Sequence, residues 1–410
     1  MNEQKPQNSP INRHGGVPTP IGDLTLPVRS WSPGIEAPEE QLTYVDLSSI
    51  SSEAKAIESP SELLGSEAPS RARQKIRGRD ILVSTVRPNL NAVAWVTSEF
   101  DGATASTGFC VLRPNLEIVC DRYLYHWVRT PEFFGEMTKV ATGASYPAVS
   151  DRIIKNSKIP LPPSLAEQKR LAAILDQADA IRRKRQQALR LTDDFLRSVF
   201  LDFFGDPVTN PKGWPEIRFG DVIQEGPQNG LYKPSTEYGS GTPILRIDAF
   251  YDGVVLAESS LKRLRLSPED KSLYLLREGD IVVNRVNSLE YLGKSAIIPR
   301  FSEEIVFESN IMRMSMDRLR FEPRFIVAML QTQHIKRQIK ICAKQAVNQA
   351  SINQSDVKSL RIFEPPMALQ RDYVRTVEQL EKLQRQQVRH LAEAETLFQS
   401  LQHRAFTGQL

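Results

Sequence analysis

The side chains to test first for chemistry are the five histidines, one glycine-lysine turn and two proline pairs. His14, His126, His334, His390 and His403 are scattered, and none has a second histidine or a carboxylate at metal-ligand spacing. LGKS (292–295) ends like a phosphate-cradling loop, but Ser288 stands where the first glycine belongs. FEPPM (363–367) has the outline of the loop with which amino-methyltransferases grip a base. Glu364 and Met367, however, replace the amide or acid and the aromatic that such a loop needs. LPPS (161–164) fails in the same way, and no glycine-rich strand-to-helix turn suits a nucleoside cofactor. No catalytic residue, metal or cofactor is therefore expected. The side chains that remain are suited to reading: Arg87, Asn89 and Asn91 in VRPNLN, and Arg285 and Asn287 in VNRVNS. Arginine and asparagine match guanine and adenine edges, although at these places they could equally cap turns.

Both groups follow a similar strand. RGRDILVSTV (77–86) and REGDIVVNRV (277–286) match at an offset of 200, Ile81 over Ile281 and Val83 over Val283. YVDLSSI (44–50) lies on ILRIDAF (244–250) at the same offset, and IGDL (21–24) lies near FGDV (219–222). The offset then slips. VSDRIIKNSKIPLPP (149–163) matches INQSDVKSLRIFEPP (352–366), Ile154 over Val357 and Lys155 over Lys358. After each Pro-Pro comes a long run without glycine or proline. The chain therefore reads as two copies of one plan, an α/β globule followed by a long helix.

Basic stretches precede the repeated strand in both copies. Arg71, Arg73, Lys75, Arg77 and Arg79 alternate, which in an extended segment places them on one face; the second copy has KRLR, with Lys262 and Arg263. Lys233, beside Tyr232, and Lys262 are candidate phosphate contacts. The net charge of +4 allows a nucleic-acid partner without requiring one.

In the helices, Leu171, Ile174, Ala178, Ile181, Phe195 and Val199 follow a heptad, as do Tyr373, Val377, Leu380, Leu391, Ala394, Phe398, Leu401 and Ala405. About 36 residues rising 1.5 Å each reach roughly 54 Å, longer than a globule of this size is wide. The helices are therefore expected to pair as an antiparallel coiled coil with a globule at either end. The 40% apolar content supports two cores, and the leading polar segment of about 20 residues reads as flexible. No stretch is apolar enough to span a membrane. Cys110, Cys120 and Cys342 read as buried thiols of a reducing cytoplasm.

The order and duplication of these pieces resemble the DNA-specificity subunit of type I restriction-modification systems over nearly the whole chain. The residues that carry the resemblance are RGRDILVSTVRPNLNAVAWV, TASTGFCVLRP, GLYKPSTEYGSGTPILRI, REGDIVVNRV, KIPLPPSLAEQKRLAAIL, RIFEPPMALQRDYV, FLDFFGDP and RAFTGQL. The resemblance implies two target-recognition domains (21–163 and 206–366), each reading half of a bipartite, asymmetric site in double-stranded DNA. Spacer helices (164–205 and 367–410) would set the gap and dock two modification subunits that methylate adenine, joined by restriction subunits. The chain departs from the pattern in its first 20 residues and in LTLPVRSWSPGIEAPEEQLTY, where the second copy has GLYKPSTEYGSGTP. Two other readings would be told apart by experiment. A self-contained methyltransferase would bind a methyl donor, and a coiled-coil adaptor would show no salt-dependent affinity for DNA.

Overall fold

The computed structural model describes residues 17–143, 145–347 and 349–410. The chain divides into two units: the first comprises residues up to 188 together with 387–410, and the second comprises 189–386.

In the first unit, Ile81–Ser84 lies at the centre of an antiparallel sheet between Phe109–Pro114 and Val93–Trp95. All four of its residues are buried, because both faces of the strand are covered. Ile81 and Val83 pack with Tyr123, Leu124 and Leu171, whereas Leu82 points the other way, into a cluster with Val45, Ile76 and Val111. The second unit repeats this residue for residue. Ile281 and Val283 join Met312 and Phe325, and Val282 joins Leu245 and Phe307. Each such side chain contributes about 1.5–3 kcal/mol by leaving water, and this explains the unbroken apolar run in both copies. In each unit a further small sheet contains a parallel pair: Gln41–Val45 with Thr104–Ser106, and Tyr238–Leu245 with Val306–Phe307.

The aspartate before each strand closes its turn. Asp80 accepts the Arg77 backbone N–H at 2.8 Å and is held by Arg113 at 2.7 Å. Asp280 accepts the Arg277 N–H at 2.8 Å with Arg313 at 3.6 Å, and burial raises its pKa. Gly22 and Gly220 let the short helices Asp151–Asn156 and Gln354–Ser359 approach closely: a Cβ would stand 3.3 Å from Lys155 and 3.0 Å from Lys358. The leading segment differs from expectation. Residues 1–16, including His14, lie outside the described residues, but Val17–Pro20 is a strand paired antiparallel with Lys158–Leu161. Its counterpart is Glu216–Arg218 on Arg361–Phe363. Two prolines make Val17–Pro20 look like coil, yet an edge strand tolerates them.

The long helices are Leu165–Phe204 and Met367–Thr407, 40 and 41 residues. In the first unit Leu171, Leu175 and Ala178 share a core with Phe398, Ala405 and Phe406, and Arg185 reaches Gln387. In the second, Val199, Phe200 and Phe204 share one with Tyr373, and Gln384 donates to Asp193 at 2.6 Å. Residue numbers run in opposite senses, so the pairing is antiparallel. On the second helix Val377 and Leu380 pack against the core, Leu391 and Leu401 are half-buried and Phe398 is buried. On the first helix the seam is one position off. Leu171 and Ala178 lie in it and Ile174 is partly covered, but Ile181 and Phe195 are 53% and 50% exposed. The reason is polar seam residues: Gln168 and Asp179 are buried and Arg182 is half-buried, so a count of apolar positions selects the wrong stripe.

A charged network fastens the first globule to its helix. Arg129 donates to both Asp179 oxygens at 3.1 Å, and Arg182 reaches the same carboxylate at 3.0 Å. Burial pulls the Asp179 pKa up, but the arginines outweigh it and hold the carboxyl well below the usual range. His126, isolated in sequence, meets Asp176 through Nε2 at 2.8 Å. Burial, opposed by Asp176, lowers the imidazole to about 4. The unfolded chain binds a proton near pH 6.5 and the folded chain does not until about 4, so the unfolded state gains stability as pH falls through that window. Urea titrations of the full chain should show the first unit losing on the order of 3 kcal/mol between pH 7 and pH 4. In His126→Gln that slope should shrink. An unchanged slope would show that His126 is not the group responsible.

Candidate nucleic-acid interface

Each repeated strand delivers its candidate turn at its carboxyl end. In the first unit, Arg87 follows with φ 49° and ψ 60°, a left-handed backbone that turns the chain into the helical turn Pro88–Leu90. Its N–H donates to the Pro147 carbonyl at 2.7 Å. Its side chain is exposed, and the guanidinium lies 4.8 Å from the ring centre of Tyr146, itself 69% exposed. Asn89 is exposed on the same turn. Asn91 is a cap instead: it ends the turn at φ 46° and donates through Nδ2 to the Arg129 carbonyl at 3.2 Å.

The basic row before the strand does not form one face. The strand covers only Ala72–Lys75, and the chain then turns, with Arg79 at φ 74°. Arg71 and Arg77 are exposed, while Arg73 is partly covered, donating to the Ser70 carbonyl at 2.8 Å and reaching Ser32. Lys75 lies 4.7 Å over Trp31, and Arg79 stands 3.7 Å from Asp121. Alternation implies a common face only where the strand continues, and the buried Asp80 turn ends it.

The second unit is built differently at the same place. The Arg285 side chain is half-buried and donates to the Ser309 carbonyl at 3.1 Å, so it supports a loop more than it projects. Asn287 accepts the Ser288 N–H at 2.8 Å. It lies on Val286–Asn287, which pairs with Gln349–Ser351, itself paired with Lys344–Ala346. Lys344, Gln345 and Gln349 are exposed on that hairpin. Tyr232 is 80% exposed and Lys262 is exposed. Lys233 pairs with Asp270 at 2.8 Å, and Arg263 holds Glu303 at 3.0 Å and the Gly241 carbonyl at 2.9 Å, so any phosphate must compete with those carboxylates.

Sequence reasoning missed several residues. Gln168 and Gln370 each clasp a globule to its helix. Gln168 accepts the Cys120 N–H at 2.8 Å and donates to the Pro162 carbonyl at 2.9 Å; Gln370 accepts the Glu322 N–H at 3.0 Å and donates to the Pro365 carbonyl at 2.8 Å. The Pro-Pro junctions thus position a carbonyl for an amide. Their signal was visible: both glutamines follow the proline pair at nearly equal distance. Tyr146 and the 344–351 hairpin fall just before the matched segments at 149 and 352, so the repeat gives no hint of them. Cys110 and Cys120 are buried and unpaired, and burial pushes the Cys110 thiol up to about 12. Among the described residues no cluster of His, Cys, Asp or Glu could hold a metal, and no helix is long and apolar enough to cross a membrane.

The family model described as the type I restriction modification DNA specificity domain matches residues 69–191 and again 211–393. The EcoKI type I restriction enzyme specificity subunit of Escherichia coli strain K12 is 26% identical over 359 residues, covering 82% of this chain and 76% of its own. The StySPI subunit of Salmonella potsdam is 25% identical over 355 residues, with the same shares. A chain from a solved structure concerned with complex assembly and conformational transition of the type I R-M system aligns with a TM-score of 0.61 at 27% identity, covering 96% of this chain and 97% of its own. The type I S subunit from M. genitalium, at 13% identity and a TM-score of 0.55 over 99% of both chains, shares the fold.

Proposed function

We propose, from the premise that this chain belongs to the type I restriction modification DNA specificity family, that each globule reads one half of a split site through the turn after its repeated strand. The chain is a sequence-specific DNA-recognition subunit, and its internal repeat is the observation that carries this reading. Two copies of one scaffold, each buried alike around Ile81–Ser84 and Ile281–Asn284, carry different side chains at the strand end. Arg87 and Asn89 project in the first; Asn287 and the 344–351 hairpin lie at that place in the second. Such readers select different bases, so the composite site is asymmetric. Arg71, Arg77, Tyr232 and Lys262, all exposed, are assigned to the backbone, where they set register.

The paired helices fix the gap between half-sites and dock the catalytic partners. Leu191 and Phe195, one turn apart on the first long helix and both within residues 189–386, are each at least half exposed. At 100° per residue they fall within an arc of about 40°, an apolar face suited to a protein partner. We assign this face to modification subunits, two per chain on pseudo-equivalent surfaces, which supply adenine methylation in the cytoplasm, with restriction subunits joining them. The chain itself reads and does not catalyse. Purified alone it should bind duplex DNA with affinity that falls steeply with salt, and transfer no methyl group. With its modification subunit it should direct methylation. Methyl transfer by the chain alone would contradict this. Leu191→Asp with Phe195→Asp should abolish co-purification of the modification subunit while leaving DNA binding by the chain unchanged; retained co-purification would move the docking face elsewhere.

A further inference from the structure

The two exposed side chains Arg87 and Tyr146 come from segments about sixty positions apart, yet the structure locks their backbones together. Arg87 N–H donates to the Pro147 carbonyl at 2.7 Å, Val86 bridges Ala148, and Val149 N–H donates to the Thr85 carbonyl at 2.9 Å. On the far side Gly143, at φ 107°, lets the Tyr146 carbonyl approach to where a Cβ would be only 2.8 Å away. A loop clamped at both ends therefore presents an aromatic ring that is 69% exposed. Its face receives the Arg87 guanidinium at 4.8 Å. Among the described residues no carboxylate pairs with Arg87, in contrast to Lys233 and Arg263 in the other unit.

The geometry has a chemical consequence. The five donors of a guanidinium lie in its plane, so stacking on a ring occupies a face and leaves the donating edge open. The left-handed backbone at Arg87 fixes where the side chain starts, and the ring limits its rotamers. An arginine held in this way meets O6 and N7 of a guanine with its fork already oriented. We propose that Tyr146 is a positioning residue for Arg87, and that the pair reads a single guanine in the half-site of the first globule. At the corresponding place in the second unit Arg285 is tied to the Ser309 carbonyl instead, so this device serves one half-site only. The inference rests on the proposed reading role of Arg87.

The test compares Arg87→Ala, Tyr146→Ala, Tyr146→Phe and the double Arg87→Ala/Tyr146→Ala variant of the full chain with its modification subunit. Binding competition with duplexes altered one base pair at a time is the readout. Arg87→Ala should reduce discrimination at one G·C pair by roughly 5- to 150-fold. Tyr146→Ala should relax the same pair by about two- to fivefold, the size of an exposed cation–π contact. Tyr146→Phe should keep discrimination, because the ring and not the hydroxyl does the stacking. The double variant should be no worse than Arg87→Ala, since Tyr146 acts only through Arg87. A general structural role would instead weaken every position or lower the melting temperature, and would add to the arginine change. If Arg87→Ala relaxes one pair and Tyr146→Ala none, the positioning role is overturned while the reader stands. If Arg87→Ala relaxes no pair, the reader itself is wrong and the pairing falls with it.

Discussion

Lengthening both long helices by one heptad should lengthen the methylated site's spacer by about three base pairs and leave both half-site sequences unchanged. Seven residues rising 1.5 Å each add roughly 10.5 Å, and each base pair occupies 3.4 Å. A heptad turns the helix by 700°, within about 20° of two full turns, so the seam on each side keeps its facing partner. The Leu171, Leu175 and Phe398 cluster and the Phe200 and Tyr373 cluster are both preserved. Three base pairs also rotate one half-site by about a quarter to a third of a turn, and DNA twisting can absorb part of the step. Four residues inserted in one helix only are the control. That change cannot keep both clusters in register and should destabilise the chain. Methylome sequencing of hosts carrying each variant reads the spacer directly, and an unchanged spacer in an active double-heptad variant would remove the helices as the ruler.

Asp179→Leu should destabilise the first unit by about 3–5 kcal/mol. Arg129 is 7% exposed and cannot shed its charge, so loss of its paired carboxylate leaves a buried cation with two aromatic faces, Tyr125 at 4.7 Å and Phe398 at 5.6 Å, and the more distant influence of Asp176. The reverse change, Arg129→Met, should cost less, because Asp179 keeps Arg182 at 3.0 Å and Arg183 at 3.5 Å. Arg129→Met with Asp179→Leu should recover part of the loss, since the deeply buried Arg129 charge is gone, although the half-buried Arg182 loses its carboxylate. Urea unfolding should show the first unit's transition moving while that of residues 189–386 stays. Equal movement of both transitions would mean that this pair does not act locally.

The repeat was legible in the sequence because its strongest element is buried on two faces, so ILV and IVV had to stay apolar in both copies. The aspartate before each strand was legible as a match but not as a function, because its partners Arg113 and Arg313 lie 33 positions downstream in sequence. The helix seam was half legible. On the second helix every buried position is apolar or glutamine and the heptad is visible, whereas on the first Gln168, Asp179 and Arg182 occupy seam positions that a hydrophobic count rejects. The arginine row failed for a local reason, a turn beginning at Arg77 that alternation cannot reveal. The proposed readers were legible as residue types only. Whether Arg87 projects or Asn91 caps depends on what the 142–148 and 129 segments place beside them, and long-range pairing of that kind leaves no periodicity to detect.

The most direct measurement replaces residues 206–366 with a second copy of 21–163 and sequences the methylome of a host expressing that chain with its modification subunit. If each globule reads one half-site independently, both halves of the methylated sequence become copies of the first half-site. If the original asymmetric sequence is still methylated, the globules are not independent readers and the account is contradicted.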